Sequence, residues 1–173
     1  TYVMAEALDL SVPPALDDLA RDVLTLACDR DLKLATAESC TGGLLASLLT
    51  DIPGCSHAFE RGFVVYTEAA KHELLQVPEA MLEQHGAVSK AVALALAEGA
   101  IANSQADIVA AITGFTEAGP NPGDDAGLVH FASARRGRPA RHRLVCFGDI
   151  GRGPVRQGAL ETALAMMREE ILR

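Results

Sequence analysis

Ile108-Val109-Ala110-Ala111-Ile112 is apolar at every position, which is the pattern of a strand buried on both faces of a sheet. Such a strand needs helices over it, and helical and extended patterns do alternate along the chain. Upstream, Leu16, Leu19, Ala20, Val23 and Ala27 recur at helical spacing behind Pro13-Pro14, and residues 33–37 form a short extended run. Leu44, Leu45, Leu48 and Leu49 make the stripe of a second helix, closed by Pro53-Gly54. Residues 63–66 read as a strand ending at Tyr66, and residues 68–75 and 79–84 as short helices. Ser89 is placed to cap an Ala-rich helix over 90–103. Downstream, residues 128–134 and 141–147 read as strands joined by a tight turn at 135–139, so they pair antiparallel and the sheet is mixed. A last helix is expected from Pro154, a residue tolerated in a first helical turn. The expected fold class is α/β, with an N-terminal tail over 1–14 and a single domain over 15–173.

The chain has 173 residues, 49% of them hydrophobic and 22% charged, which is a globular composition and not a disordered one. Fifteen Lys and Arg against 23 Asp and Glu leave a net charge of −8. That balance repels phosphate backbones at long range and argues against nucleic acid or anionic membranes as partners. Any anionic ligand must be small and held by local donors. No stretch approaches the ~18 apolar residues of a spanning helix, and residues 1–10 lack the charged and apolar regions expected of a signal peptide. The four cysteines (Cys28, Cys40, Cys55, Cys146) form no C-x-x-C pair and have no histidines at ligand spacing. A reducing, cytoplasmic setting without a metal site is the expectation.

Chemistry concentrates where strands end. Ala37-Glu38-Ser39-Cys40-Thr41-Gly42-Gly43 sits between an inner strand and a helix, where unpaired backbone N–H groups favour an anion or oxyanion. Ser39 is a candidate nucleophile there, although Ser, Thr and Gly also suit a plain capped turn. Cys40 is its rival, but none of the five histidines is evidently paired with it, and a small buried thiol is the simpler state. Lys71, one helical turn beyond Tyr66, can take a proton from Ser39 if desolvation keeps its amine neutral; the plain alternative is a solvated surface lysine. Ile112-Thr113-Gly114 leaves the buried strand at the end where open α/β sheets bind ligands. Arg152, in Gly151-Arg152-Gly153-Pro154, can clamp a phosphate from a helix start. Arg135, Arg136, Arg138, Arg141 and Arg143 read as a solvated hairpin.

Four stretches together resemble the CinA C-terminal domain family, the nicotinamide mononucleotide deamidases. They are Thr36 to Gly43, Glu60-Arg61-Gly62-Phe63 with Tyr66 and Ala70-Lys71, His85-Gly86-Ala87-Val88-Ser89, and Ile112-Thr113-Gly114. The resemblance runs from about Ala15 to the last helix. It implies a three-layer α/β/α sandwich around a mixed, mostly parallel sheet of about five strands. It also implies a cofactor-free serine–lysine hydrolysis of the nucleotide's carboxamide to nicotinate mononucleotide and ammonia. In that mechanism Ser39 is nucleophile, Lys71 general base and Tyr66 an orienting or relaying group. Thr41, Gly42, Gly43, Arg61, Thr113 and Gly114 would line the substrate site, and Arg152 would hold its phosphate. A homodimer is the family's implied state. Many members carry a further N-terminal domain, which is not expected within these 173 residues.

The loop 115–127 departs from the family, having lost glycines and a lysine and gained Glu117, Asp124 and Asp125. Carboxylates facing a bound phosphate would repel it. The departure keeps two other readings open: a nucleotide-binding paralogue without catalysis, and an amidohydrolase for another small amide.

Overall fold

The computed structural model describes residues 11–173. The expected tail falls largely on residues 1–10, which lie outside the described residues. The chain then runs α1 (Pro14–Asp29), β1 (Leu34–Glu38), α2 (Leu44–Thr50), a single 3₁₀ turn (Ser56–Ala58) and β2 (Phe59–Val64). It continues through α3 (Glu68–Leu75), α4 (Glu79–His85), α5 (Lys90–Ala102), β3 (Ile108–Gly114), β4 (Leu128–Arg135), β5 (Arg141–Cys146) and α6 (Arg152–Leu172). The strands form one sheet in the order β2-β1-β3-β4-β5. β1 pairs in parallel with both β2 and β3, while β3–β4 and β4–β5 are antiparallel. Four of the five strands therefore point the same way, with β4 the exception, and the mixed α/β sandwich expected from the sequence is the fold.

Alternation along the inner strands divides the core in two. Leu34, Ile108, Ala110, Ile112, Val129 and Phe131 pack under α1, α2 and α6. Ala35, Ala37, Val109, Ala111, Ala132 and Ala134 pack on the opposite face, under α5 with α3 and α4 against it. All five residues of β1 are buried, and so are the first six of β3. Three helix starts have a visible cause: Pro14 opens α1, and the Thr67 and Ser89 hydroxyls accept from Ala70 N and Val92 N to cap α3 and α5. No helix among the described residues is long and apolar enough to cross a membrane.

Three expectations need correction. β2 starts four residues early and stops at Val64, so Tyr66 lies beyond the strand. Its Glu60-Arg61-Gly62 portion is polar because β2 is a sheet edge, where side chains face water. Helix α6 starts at Arg152, two residues before Pro154. The basic hairpin is not simply solvated. Arg136 donates to the carbonyls of Ile101, Ser104 and Ala106 behind α5, while Arg135 donates to Glu170 O, and Arg141 and Arg143 pair with Glu169. These arginines fasten both helical layers to the sheet.

The α3–α5 contact is closest at Gly99, where an added Cβ would stand 2.1 Å from the Leu75 carbonyl oxygen. Backbone cannot yield as a side-chain tip can. Gly99→Ala is expected to lower unfolding stability by about 1–3 kcal/mol in urea titrations. Gly153→Ala, with nothing within 4 Å of the new methyl, is expected to add up to about 1 kcal/mol by the same measurement.

Candidate active site

Period-two alternation places adjacent residues at the end of β1 on opposite faces of the sheet. Glu38 turns toward α2, and its carboxylate, fully buried, accepts from Thr41 Oγ1 (2.7 Å), Leu45 N (2.9 Å), Ala46 N (3.0 Å) and Thr36 Oγ1 (3.3 Å). A buried carboxylate is tolerated when its lone pairs are filled by donors, and here it receives the first free N–H groups of α2. The seven-residue helix is thereby fixed to the strand that precedes it. Gly42 and Gly43 complete the connection with φ of +60° and +96°, a backbone that side-chain-bearing residues rarely adopt.

Ser39 turns the other way, toward α3. The parallel register puts Glu38 opposite Ile112, and Ser39 N donates to Ile112 O (3.1 Å), which brings Ser39 beside Thr113. From α3, Lys71 reaches under the end of β2: its Nζ lies 3.1 Å from Ser39 Oγ, 2.8 Å from Val65 O and 3.0 Å from Tyr66 O. Lys71 is 1% exposed and Ser39 8%. No salt bridge among the described residues involves Lys71. Loss of hydration lowers the amine's pKa from its ordinary 10.5, against smaller upward pulls from Cys40 and Glu68. A neutral amine in this nest donates to the two carbonyls and has its lone pair left for the Ser39 hydroxyl.

Cys40, next to the pair, is the opposite case. Burial pushes its thiol up to about 11, and its own backbone N–H and the Arg156 guanidinium only partly oppose that. A thiol held protonated is a poor nucleophile. Arg156 lies in α6, donates from Nη2 to Thr41 O (3.1 Å), and stands 3.4 Å from where a Gly42 Cβ would be. Its Nε is buried without a hydrogen-bond partner among the described residues.

The expected site residues separate into groups. Tyr66, Gly114 and Arg152 line a cavity of about 210 Å³ together with residues 115–120. Tyr66 holds Lys71 through its carbonyl, while its ring stands exposed at the cavity. Thr41 and Thr113 are fully buried with their hydroxyls engaged, Thr41 on Glu38 and Thr113 on Ala87 O (2.8 Å). They shape the site from behind instead of presenting hydroxyls to a ligand. The His85–Ser89 stretch thus supplies the acceptor that fixes Thr113. Arg61 is not brought to the site: it pairs with Glu60 and donates to Asn103 O behind α5, at the opposite end of the sheet. Glu38 and Arg156 were missed by the sequence reading. Glu38 precedes Ser39 and could have been found by asking which buried group caps so short a helix, whereas Arg156 gives no local signal. Among the described residues, no group of three or more His, Cys, Asp or Glu side chains is placed to hold a metal ion.

The sequence model of the CinA C-terminal domain matches residues 16–171. A CinA-like protein of Akkermansia muciniphila is 42% identical over 161 residues, 91% of this chain and 39% of its own length. The nicotinamide-nucleotide amidohydrolase PncC of Escherichia coli is 42% identical over 148 residues, covering 83% of this chain and 87% of that protein. The crystal structure of the competence/damage inducible protein CihA from Agrobacterium tumefaciens superposes with a TM-score of 0.89 at 40% identity, over 95% of this chain and all of that one. The chain belongs to the CinA C-terminal domain family. It spans about two-fifths or less of the length of the CinA-like relatives.

The Lys71 environment predicts a signature in stability. Between its lowered pKa and 10.5 the unfolded chain holds a proton that the folded chain does not, so stability rises with pH across that window. Below the window the full cost of the buried charge is present, and above it that cost is gone. Unfolding free energies from urea titrations at pH 7 to 10 should rise for the wild type relative to Lys71→Met, by at most about 1.4 kcal/mol per pH unit.

Proposed function

We propose that this member of the CinA C-terminal domain family is an amidohydrolase that cleaves the carboxamide of nicotinamide mononucleotide, giving nicotinate mononucleotide and ammonia. The observation that carries the reading is the 3.1 Å contact between Ser39 Oγ and a lysine amine buried with two carbonyls and no carboxylate partner. The family membership and the printed activity of the Escherichia coli relative support the substrate.

In this mechanism neutral Lys71 takes the Ser39 hydroxyl proton as Oγ attacks the carboxamide carbon. The Val65 and Tyr66 carbonyls hold the resulting ammonium in place. Collapse of the tetrahedral intermediate breaks the C–N bond, and Lys71 returns the proton to the departing nitrogen, which leaves as ammonia. A water deprotonated by Lys71 then attacks the Ser39 ester; the acyl C–Oγ bond breaks, Lys71 returns the proton to Ser39 Oγ, and nicotinate mononucleotide is released. The backbone N–H groups of Thr41 and Gly43 have no acceptor among the described residues and are the candidate donors for the oxyanion. Tyr66 flanks the substrate cavity and Arg152 receives the phosphate. The unit carrying this chemistry is the domain over 15–173. Its free cysteines suit a cytoplasmic enzyme.

One observation favours a second reading, a nucleotide-binding module without turnover: Arg152 is already engaged by Glu117. Ammonia release from nicotinamide mononucleotide separates the two. Wild-type chain should release it. Ser39→Ala and Lys71→Met should each lower kcat/KM by about 10³-fold or more while remaining folded. Cys40→Ala should keep most of the activity. A folded wild type that binds the nucleotide without releasing ammonia would favour the binding module, and a dead Cys40→Ala would restore the thiol as nucleophile.

A further inference from the structure

The loop 115–127, between β3 and β4, is closed on itself. Phe115 N donates to Leu128 O (2.9 Å) and Gly127 N to Phe115 O (2.8 Å), extending the β3–β4 pairing into the loop's base. Inside it Gly119 N donates to Asp124 O (2.7 Å), and Asp124 Oδ2 accepts from Asn121 N and Nδ2, both at 3.0 Å. A Cβ on Gly119 would stand 2.5 Å from Asp124 Cβ, so the two arms of the loop are in direct contact. The carboxylate of Asp124 is therefore taken up within the loop. Glu117 is placed differently. It lines the cavity beside Tyr66 and Gly114, and its Oε1 bonds Nη2 of Arg152, the one cation in the cavity's lining.

We propose that Glu117 is a specificity-determining residue: its carboxylate competes with an anionic ligand group for Arg152, so a phosphate adds less to binding here than an unopposed arginine would give. The proposal rests on the assignment of Arg152 to a ligand phosphate under Proposed function. Both side chains are half-exposed or more, 50% for Arg152 and 75% for Glu117, so the pair is easily parted and acts as a weight on affinity, not a lock. Once displaced, the carboxylate remains beside the phosphate and repels it. Glu117→Gln removes both effects and keeps the side chain's size.

The test is a titration of ribose 5-phosphate, with ribose as the blank, followed by NMR or calorimetry. Glu117→Gln should bind ribose 5-phosphate about fivefold more tightly than the wild type, the change that ~1 kcal/mol of pair energy allows. Glu117→Gln combined with Arg152→Gln should lose that gain. Asp125→Asn makes the same charge change at an exposed position without contact to Arg152, and should match the wild type. Equal or weaker binding by Glu117→Gln would overturn the proposal, as would a fivefold gain in Asp125→Asn. The readout is independent of turnover. A gain without ammonia release overturns the amidase reading alone, and ammonia release without a gain overturns the competition alone.

Discussion

A lysine amine taken out of water without a carboxylate to answer it is the constraint around which this molecule is arranged. Desolvation of an unpaired ammonium costs several kcal/mol, and the group relieves the cost by losing its proton. The surroundings of Lys71 are polar enough to orient the amine, and its loss of hydration lowers its pKa from the ordinary value. Val65 O and Tyr66 O aim it, and Ser39 Oγ completes the ring of partners. That arrangement depends on where α3 lies. The Thr67 cap fixes its start, Gln76 ends it in a left-handed conformation (φ 55°), and Gly99 lets it approach α5 to backbone contact.

The Ser39 side of the site follows from sheet geometry. Because side chains alternate, the end of β1 delivers one carboxylate and one hydroxyl to opposite faces. Glu38 binds α2 from below with two backbone N–H bonds, and Ser39 is left facing α3. Parallel pairing with β3 adds Thr113, whose bond to Ala87 O ties the site to the start of α5. From the far end of the sequence, α6 contributes Arg156 against the Thr41 carbonyl and Arg152 at the cavity. The pair Ser39–Lys71 is thus assembled by β1 and α3, while the cavity beside Tyr66 is lined by residues 114–120 and by Arg152 of α6.

Much of this was legible in the sequence, for reasons that differ by element. The run 108–112 is apolar throughout because β3 is covered on both faces, and the reading of a central strand from it was right. The Ser39 and Lys71 neighbourhoods, which the fold brings within 3.1 Å, stand out in the sequence because hydroxyl, glycine and lysine lie at element boundaries. β2 was misplaced because an edge strand carries polar residues such as Glu60 and Arg61, and the apolar run after Gly62 continues past the strand's end into the turn that holds Tyr66. Arg61 and the hairpin arginines were misjudged because a charge pattern does not reveal which carbonyls lie within reach after folding. Glu38, Arg156 and the Glu117–Arg152 pair depend on contacts between residues up to 115 positions apart, which no local pattern carries.

The measurement that bears most directly on this account is the pKa of the Lys71 amine in the folded chain, from NMR of labelled lysine side chains with Lys71→Met to assign the signal. Titration below 10.5, the ordinary value, is expected. Titration at or above 10.5 would mean that the amine is a cation throughout the physiological range. It would then be unable to take the Ser39 proton, and the serine–lysine chemistry would fall with it.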